Sequence, residues 1–568
     1  MTLALPAIER RIEIDGTELD AEVDAQLERV VVVDRLAMPD TFVLYFRDPD
    51  RDVLARGHLE IGKRLTISTT SPEDDGLATL ISGEITSVEA DYDMLGTRTV
   101  VRGYDLSHRL TAGRKTATFQ NVKLSDIAGE IAREAGLEPE VDDSGPTLEH
   151  VIQPNLCDLD FLYSLARRIG FDCRVDGDRL LFKKPTPSAS APGEGNFEST
   201  DPTQLVWNHN LLEFRARMSA VAQVSEVKVR GWDVAAKEAV IGQATVFASN
   251  AEVSMTPSDL ASKVGGRTLV VVDRPVGAQG PADEVARTKA EQVGGAAFEA
   301  TAVAIGSPAL KAGVAVSISN IDPALSGNWV ISSSQHEFGN GAYRTVLDFS
   351  GSRDRSLHGV VTGGLAGPVA RANVIAGVVP AIVANNEDPD NLGRVKVHYP
   401  WLSDNAESFW ARLAMPGAGK QYGMVWLPQV GDEVLVTFVQ GDFSQPIVIG
   451  GLWNGQDTPP LGEGLLDAGS VLRSGFVSRK GHMLVFFDSD DDAGIALVTA
   501  GKKFRVSLNE TSGQLRVSFD GDLVMEGSGS VRIKAGADVS IQASGAMDLK
   551  AGGNLTIKGA KVALNPPG

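Results

Sequence analysis

The sequence predicts a mainly β protein with a small α/β insertion and a repetitive C-terminal segment. The chain contains 60 glycines but only 6% aromatic residues, and short runs rich in Val, Ile and Thr alternate with turn residues, which favours strands. An eight-residue repeat begins at Gly513. A chain of 568 residues is too long for one ordinary core, so we expect several domains.

Strand-like runs dominate the first hundred residues, and the same pattern returns in the segment from Glu213 to Phe349. Turns rich in Asp, Gly and Pro separate the runs, as is typical of a barrel or sandwich. The clearest N-terminal runs are Arg29–Arg35, Thr41–Phe46, Arg64–Ser68 and Thr97–Gly103.

Two helices are predicted between these strand-rich regions, and they define the α/β insertion. Ser125 is expected to cap the first helix, and Gly136 to end it in a left-handed conformation. The second helix is expected from about 155 to 170, on the helical spacing of its apolar residues. A hairpin with an Asp-Gly turn is predicted at Cys173–Lys183.

The C-terminal repeat has the form small-x-apolar-x-apolar-x-small-x and holds for six units, with Phe519 as the one exception at the last small position. Alternating apolar residues predict short strands with one apolar face, and the small residues predict bends. Eight residues are too few for a full turn of a single-chain solenoid. We therefore expect an intertwined trimeric β-helix; the alternative is a β-meander with coincidental spacing.

The apolar positions of this repeat are the predicted core of the trimer. We call them the octad core, and they are Leu515, Val517, Leu523, Met525, Val531, Ile533, Val539, Ile541, Met547, Leu549, Leu555 and Ile557.

Charge and composition exclude several classes of function. The net charge of −21 argues against a nucleic-acid partner, which needs Lys and Arg facing its phosphates. Cys157 and Cys173 are expected to be reduced core thiols. The segment Met1–Arg11 has no basic-then-apolar signal region, and no apolar run reaches the length of a membrane span. We expect synthesis in the cytoplasm without a signal peptide.

No motif predicts catalysis, and we expect no catalytic residue, cofactor or metal. Gly417–Lys420 resembles a phosphate loop, but Gln421 stands where Ser or Thr is needed. Asp488–Gly494 resembles a calcium loop, but Ala493 stands where Gly is needed. The eight histidines are scattered without metal-ligand spacing, so both loops and the histidines are interpreted as structural or surface features.

Three blocks of sequence resemble a known family. Residues 388–455 are similar to the OB-fold of contractile phage tail spikes and of the VgrG proteins of type VI secretion, and the octad tail resembles their β-helical needle. The N-terminal part is similar to the phage tail hub, or late-control protein D, family. The OB resemblance rests on Asp388–Val397, Pro400–Trp401, Trp410–Pro416, Leu427–Val436, Gly441–Asp442 and Gln445–Gly455, and the hub resemblance on Val101–Asp105, Asn121–Gly136 and Asp158–Phe171.

The resemblance implies three regions. A tail-hub-like region covers 1–365, with a barrel at about 1–110, an α/β part at about 111–200, a second barrel at about 201–350 and a linker at about 351–365. An OB-fold domain covers 366–460, and a β-helical needle with the octad repeats covers 461–568.

It also implies the function and the partners. The chain would be a homotrimeric structural hub-and-spike protein of a contractile injection system, joining the baseplate and inner tube to the membrane-piercing tip. Expected partners are the inner tube protein, baseplate proteins and a PAAR-type tip protein, with effector cargo as a further candidate and only transient contact with the target membrane. The particle would be cytoplasmic or released. The tip would dock on Leu564, Asn565, Pro566, Pro567 and Gly568.

Two alternatives stay open at this point. One is a spike with unrecognised envelope hydrolase activity. The other is an OB-fold nucleic-acid-binding protein, for which exposed tryptophans would act as stacking platforms. Those tryptophans would be Trp401, Trp410, Trp426 and Trp453.

Overall fold

The computed structural model describes residues 9–71, 74–94, 96–272, 275–339, 341–351, 377–462 and 464–563. The expected tip-docking end, Leu564–Gly568, and the expected linker beyond Gly351 lie outside the described residues. The chain divides into two compact units, Met1–Asn454 and Gly455–Gly568, which we call the first and second units.

The first unit begins with an antiparallel β region. Buried and exposed positions alternate along its strands, as in β4, where Phe42, Leu44 and Phe46 face the core. A 3₁₀ helix at Leu106–Thr111 follows the last strand. The elements are β1 (Arg10–Ile14), β2 (Thr17–Glu18), α1 (Ala21–Asp24), β3 (Leu27–Arg35), β4 (Thr41–Arg47), α2 (Val53–Arg56), β5 (Arg64–Ser71), β6 (Asp74–Asp93) and β7 (Gly96–Asp105).

The α/β insertion has a separate core. Ile127 and Ile131 of α3 pack with Phe161 and Leu162 of α4 in one apolar cluster. The predicted hairpin is confirmed, since β11 pairs with β12 in antiparallel register. The elements are β8 (Lys115–Val122), α3 (Leu124–Glu134), β9 (Glu138–Val141), β10 (Leu148–Leu156), α4 (Asp158–Ile169), β11 (Asp172–Asp176) and β12 (Arg179–Lys183).

The start of each helix differs from the prediction, whereas one end is confirmed. Ser125 does not cap α3: Lys123 holds that position, its N–H donates to the Asp126 carboxylate, and the Ser125 hydroxyl bonds Ser144 instead. Gly136 has the expected left-handed φ of +72°. The second helix begins at Asp158 rather than near 155, because residues up to Leu156 remain in β10.

The second β region follows. A 3₁₀ helix at Ser188–Ser190 opens the loop before it, and hydroxyls of β20 donate to the Gly193 and Gly195 carbonyls of that loop. The elements are β13 (Gln204–Val206), β14 (Leu211–Met218), β15 (Glu226–Asp233), β16 (Glu238–Thr245), β17 (Ala251–Glu252), α5 (Pro257–Lys263), β18 (Thr268–Val271), α6 (Gln279–Gly295), β19 (Phe298–Ile305), β20 (Ala315–Ser319), β21 (Gly327–Val330), β22 (Ser333–Gly339) and β23 (Ala342–Ser350).

The two β regions share one eleven-stranded sheet, in the order β14-β19-β23-β22-β3-β4-β7-β6-β5-β1-β2. The joint is the antiparallel pair β22–β3, where Phe338 lies opposite Val30 and His336 opposite Val32. Phe338 and Tyr343 also pack into the core of the first β region. The regions are therefore continuous through backbone hydrogen bonds, and closure of each into its own barrel stays a prediction.

The last part of the first unit is a five-stranded sheet, ordered β25-β24-β29-β30-β26. Its core contains Val383, Val397, Tyr399, Val436 and Phe443. A 3₁₀ turn at Val439–Gly441 joins β29 to β30. The elements are β24 (Val378–Asn385), β25 (Lys396–His398), β26 (Arg412–Leu413), β27 (Ala418–Gly419), β28 (Tyr422–Gly423), β29 (Glu433–Phe438) and β30 (Pro446–Gly451).

The second unit contains a five-stranded antiparallel sheet in sequential order, β33 to β37. Beyond Asp520 the described chain, up to residue 563, forms neither helix nor strand. The elements are β31 (Leu466–Asp467), β32 (Ser470–Val471), β33 (Arg473–Val477), β34 (Met483–Ser489), β35 (Asp492–Val498), β36 (Phe504–Asn509) and β37 (Gln514–Phe519).

Candidate assembly surfaces

The octad core is spread along the end of the second unit rather than gathered into a core of one chain. Leu515 and Val517 lie in β37, and the other ten residues lie in the extended segment after it. The side chains of the octad core are 49–72% exposed. Pairs of apolar residues that recur every eight positions with their side chains exposed form a surface suited to association.

One face of the five-stranded sheet in the second unit is also apolar. Cross-strand partners lie on the same face of a sheet, so the register defines two apolar rows. The first row is Phe476, Leu484, Leu497, Val506 and Val517, and the second is Ser474, Phe486, Ile495, Leu508 and Leu515. We call this surface the apolar sheet face.

The opposite face differs in chemistry. The matching row there is Gly475, Val485, Ala496, Ser507 and Arg516, and Val485 and Ala496 are buried. On the apolar face, by contrast, Leu497, Phe504 and Leu508 are 46–54% exposed. Sequence reasoning did not single out these residues upstream of the repeat. The signal was present in the period-two alternation of Phe504–Asn509.

An acidic turn shapes the OB region. The Asp388 carboxylate accepts the backbone N–H groups of Leu392 at 2.9 Å and Arg394 at 3.1 Å, and the Arg394 guanidinium binds it at 2.6 Å. The guanidinium, together with the backbone donors, holds the pKa of Asp388 well below its usual range, although burial opposes this. Asp388 is thus an ionised residue that forms the turn before β25.

The four tryptophans of this region differ in exposure and contacts. Trp410 is half-buried under the cations of Arg394 and Lys396, at 5.9 and 5.5 Å from its ring centroid. Trp401 is exposed, and its indole N–H donates to the Pro380 carbonyl at 2.9 Å. Trp426 and Trp453 are exposed as well.

The OB region docks on the α/β insertion within the first unit. His150 of β10 contacts the Glu407 carbonyl through Nε2 at 3.2 Å, and its ring lies 6.3 Å from that of Phe409. Ile152, from the same strand, is part of the OB core. Burial lowers the pKa of His150, so this histidine acts as a neutral packing residue at the joint, as expected from its structural interpretation.

A buried histidine lies where the two β regions share their sheet. His336 Nδ1 is 2.8 Å from the Tyr343 hydroxyl, and Nε2 is 3.3 Å from Ser334 Oγ. Burial lowers the pKa of His336 to about 3. The neutral ring is therefore part of the core.

Three carboxylates meet where the first β region, the second β region and the α/β insertion join. Asp34 accepts the Ala312 N–H at 3.0 Å and lies 3.7 Å from the Arg174 guanidinium, while Asp105 accepts the Asp40 N–H at 3.2 Å. Burial raises the pKa of Asp34, raises that of Asp40 well above its usual range and raises that of Asp105 to about 6. The junction therefore takes up protons more readily than exposed aspartates do.

The loops considered as ligand sites lie in hairpins. Ala418–Gly419 pairs with Tyr422–Gly423, which places Lys420 at a turn, and Asp488–Asp492 connects β34 to β35. Among the described residues, no group of three or more His, Cys, Asp or Glu side chains could hold a metal ion. Nor does any described helix have the length and apolar character of a membrane span.

Two family models match the chain. The type VI secretion system/phage-baseplate injector OB domain matches residues 379–453, which contain the strands of the OB region. The Alg8 N-terminal domain matches residues 9–340, more than half of the chain.

The chain is also similar to curated spike proteins of Vibrio cholerae. The type VI secretion system spike protein VgrG3 is 30% identical over 202 residues, which are 33% of this chain and 19% of that protein. The actin cross-linking toxin VgrG1 is 30% identical over 168 residues, which are 27% of this chain and 15% of that protein. The chain thus spans less than a fifth of the length of either relative.

Among solved structures, a half-lidded Francisella PdpA–VgrG complex has the same fold. The match covers 91% of this chain and 89% of that chain, with a TM-score of 0.52 and 10% identity. A baseplate-injector OB domain within a chain of this fold defines a spike protein of the phage-tail type. The chain belongs to the family of the Alg8 N-terminal domain, and it is a VgrG-like spike protein.

Proposed function

We propose that this chain is the structural hub-and-spike protein of a contractile injection system, joining the baseplate and inner tube to the tip that pierces a membrane. The observation that carries the proposal is the octad core, uncovered in one chain and placed after a baseplate OB domain. The proposed division is a hub at 1–365, an OB domain at 366–460 and a needle at 461–568.

The needle is a homotrimeric β-helix in this proposal. The described segment after Asp520 leaves its backbone without strand partners and its apolar side chains exposed. A second copy of the same segment can accept and donate the backbone hydrogen bonds that this segment leaves unmade. It can also cover the exposed apolar side chains. Three intertwined copies provide that partner and leave no open sheet edge, which gives the needle its stiffness.

The hub supplies the contact with the tube. Two β regions in each chain, repeated in three chains, present six similar surfaces to a hexameric inner tube. Baseplate proteins surround the hub, and a PAAR-type tip protein docks at Leu564–Gly568. Effector cargo is a further partner, and the membrane is touched only in transit.

We propose that the chain itself is not an enzyme. The name of the actin cross-linking toxin VgrG1 describes that protein, of which this chain covers 15%. The polar clusters at Asp388, His336 and Asp34 are hydrogen-bonded within folded joints. The Ser334 hydroxyl beside His336 is a nucleophile next to a base, but both side chains are buried out of reach of a substrate. Purified protein should clear no peptidoglycan; clearing that survives repurification would contradict this part of the proposal.

Electron microscopy of the purified full chain tests the assembled form. Averaged end-on views should show threefold symmetry with six similar hub densities, and side views should show one thin needle. Single globular particles of one chain mass would overturn the proposal.

A further inference from the structure

We infer that the α/β insertion is held on the first β region by a proton-sensitive contact, which tightens when carboxylates at this interface take up protons and loosens when they lose them. The contact is the carboxylate junction, formed by Asp34, Asp40 and Asp105. This inference goes beyond the proposed function, since it concerns contacts within one chain and holds whether or not the chain forms trimers.

One member of the carboxylate junction lies where the insertion begins. Asp105 is the last residue of β7 and caps the following 3₁₀ helix, where it accepts the Ser107 N–H at 3.0 Å. Leu106 and Leu110 of that helix pack into the core of the insertion. The cap that Asp105 provides therefore helps to position the insertion on the first β region.

A second member, Asp34 of β3, contacts the insertion and the second β region together. Its Oδ2 accepts the Ala312 N–H at 3.0 Å, and its Oδ1 lies 3.7 Å from the Arg174 guanidinium of β11. No described residue donates a hydrogen bond to Asp34 Oδ1, which is buried. A buried charge with incomplete hydrogen bonding is costly, and an ion pair at this distance offsets the cost only in part.

The three carboxylates are close enough to act on one another. Asp105 Oδ2 accepts the Asp40 N–H at 3.2 Å, and Asp40 Oδ1 accepts the Arg35 N–H at 2.8 Å, directly after Asp34 in the chain. Carboxylates that share a site disfavour full ionisation. Among the described residues, the charged and titratable groups that face them from other elements are Arg174 and Asp176 of β11, Tyr163 of α4, His108 of the 3₁₀ helix and Lys311 of the second β region.

The direction of the pH dependence follows from burial. Burial at the interface raises the pKa of Asp105 to about 6 and that of Asp40 well above its usual range. When the insertion lifts from the first β region, the carboxylates reach water and their pKa returns to about 4. The docked state therefore binds protons more tightly than the open state. Docking is strongest at low pH and weakens as the pH rises through the raised pKa values.

The contact also affects the OB region, because β10 of the insertion supports it. Val151 packs in the core of the insertion, and the next residue, Ile152, packs in the OB core. Proton uptake at the carboxylate junction therefore stiffens the support of the OB region, and proton loss loosens it.

Hydrogen exchange of the full chain at pH 6 and pH 8 tests the inference. Protection factors remove the pH dependence of intrinsic exchange. Protection of the amides in Leu106–Thr111 and β11 should fall by about tenfold between the two pH values, since one unit of pKa difference is a tenfold change in the opening equilibrium. β15 and β16 contain none of the three carboxylates and serve as the internal control. A change in global stability, such as that expected from His336, would alter their protection as well.

Two variants separate the junction from other titrating groups. Asp40→Asn is neutral at both pH values, and its amide oxygen can still accept the Arg35 N–H, so the fall in protection should shrink to about twofold. Asp178→Asn removes an exposed partner of Arg64 across the same interface and should keep the fall of about tenfold.

The parent chain decides the matter even if a variant does not fold. Equal protection of Leu106–Thr111 and β11 at both pH values in the parent would overturn the inference. So would an Asp40→Asn variant that keeps the full tenfold fall. Either result would leave the proposed function intact, because neither concerns the assembly of copies.

Discussion

Arg394 donates to both carboxylate oxygens of Asp388, from Nη2 to Oδ1 at 2.6 Å and from Nε to Oδ2 at 3.1 Å. The same carboxylate accepts three backbone N–H groups of the turn that enters β25. One buried anion thus organises the loop at the start of the OB domain.

Asp388→Asn should destabilise this domain by about 2–3 kcal/mol, because it leaves the Arg394 charge without its buried partner. The native pairing lowers the pKa of Asp388, so its stabilising contribution is complete above pH 4 and is lost as the pH falls further. Chemical denaturation followed by tryptophan fluorescence measures the change. Asp390→Asn, on the exposed side of Arg394, is the matched control; equal losses in both variants would contradict the account.

His336 should make stability depend on pH. Its pKa is about 3 in the folded chain and close to 6.5 when unfolded, so the unfolded state gains the proton first and stability falls as the pH is lowered from 6.5. About 2 kcal/mol should be lost between pH 6.5 and pH 5. Denaturation curves of His336→Gln should lack this loss, whereas His209→Gln should keep it. If the stability of His336→Gln depended on pH as steeply as that of the parent chain, another group would be responsible for the pH dependence.

The carboxylate junction should have the opposite pH dependence. Burial raises the pKa of Asp40 in the folded chain, so the folded state holds the proton longer and loses stability as the pH rises above 4. The carboxylates of Asp34 and Asp105 and the guanidinium of Arg174 face the same group. Asp40→Asn should therefore raise the melting temperature at pH 7.5 by roughly 2 °C or more and have a smaller effect at pH 4.5. A lower melting temperature at pH 7.5 would refute this.

The octad core should determine how strongly the copies stay together. Ile541→Asp buries a charge in the proposed needle, a change that is expensive when the charge has no partner, so resistance of the trimer to SDS should disappear. Gln542→Asp, one position along on the other face of the ribbon, should retain it. Electrophoresis of unboiled samples measures both, and an SDS-resistant Ile541→Asp trimer would remove the octad core from the interface.

Local patterns predicted local structure well. The left-handed end of α3 at Gly136 and the hairpin at Cys173–Lys183 follow from residues close in sequence, and the structure has both. The N-cap at Ser125 was wrong, because the helix begins two residues earlier than predicted, at Leu124, and the carboxylate of Asp126 accepts the Lys123 N–H.

Long-range pairing was beyond sequence patterns. The strand that contains Val30 pairs with the strand that contains Phe338. Neither sequence run indicates which distant strand it pairs with, so the shared sheet was not predicted. The buried carboxylates Asp34 and Asp105 were missed for the same reason. In the sequence each looks like any aspartate in a turn or at the end of a strand, and only contacts between distant segments bury it. The octad repeat could be recognised from the sequence because a repeat needs no distant partner, and its role as the core of a trimer stays a prediction.

The most direct test of the account is the solution mass, by light scattering, of the full chain beside a chain that ends at Thr458. The first unit, Met1–Asn454, is compact by itself, so the shortened chain retains the hub and OB region. The account predicts the mass of three chains for the full protein and a weakened or absent trimer for the shortened one. A full chain with the mass of one chain would contradict the shared needle and leave the exposed octad core without its partner.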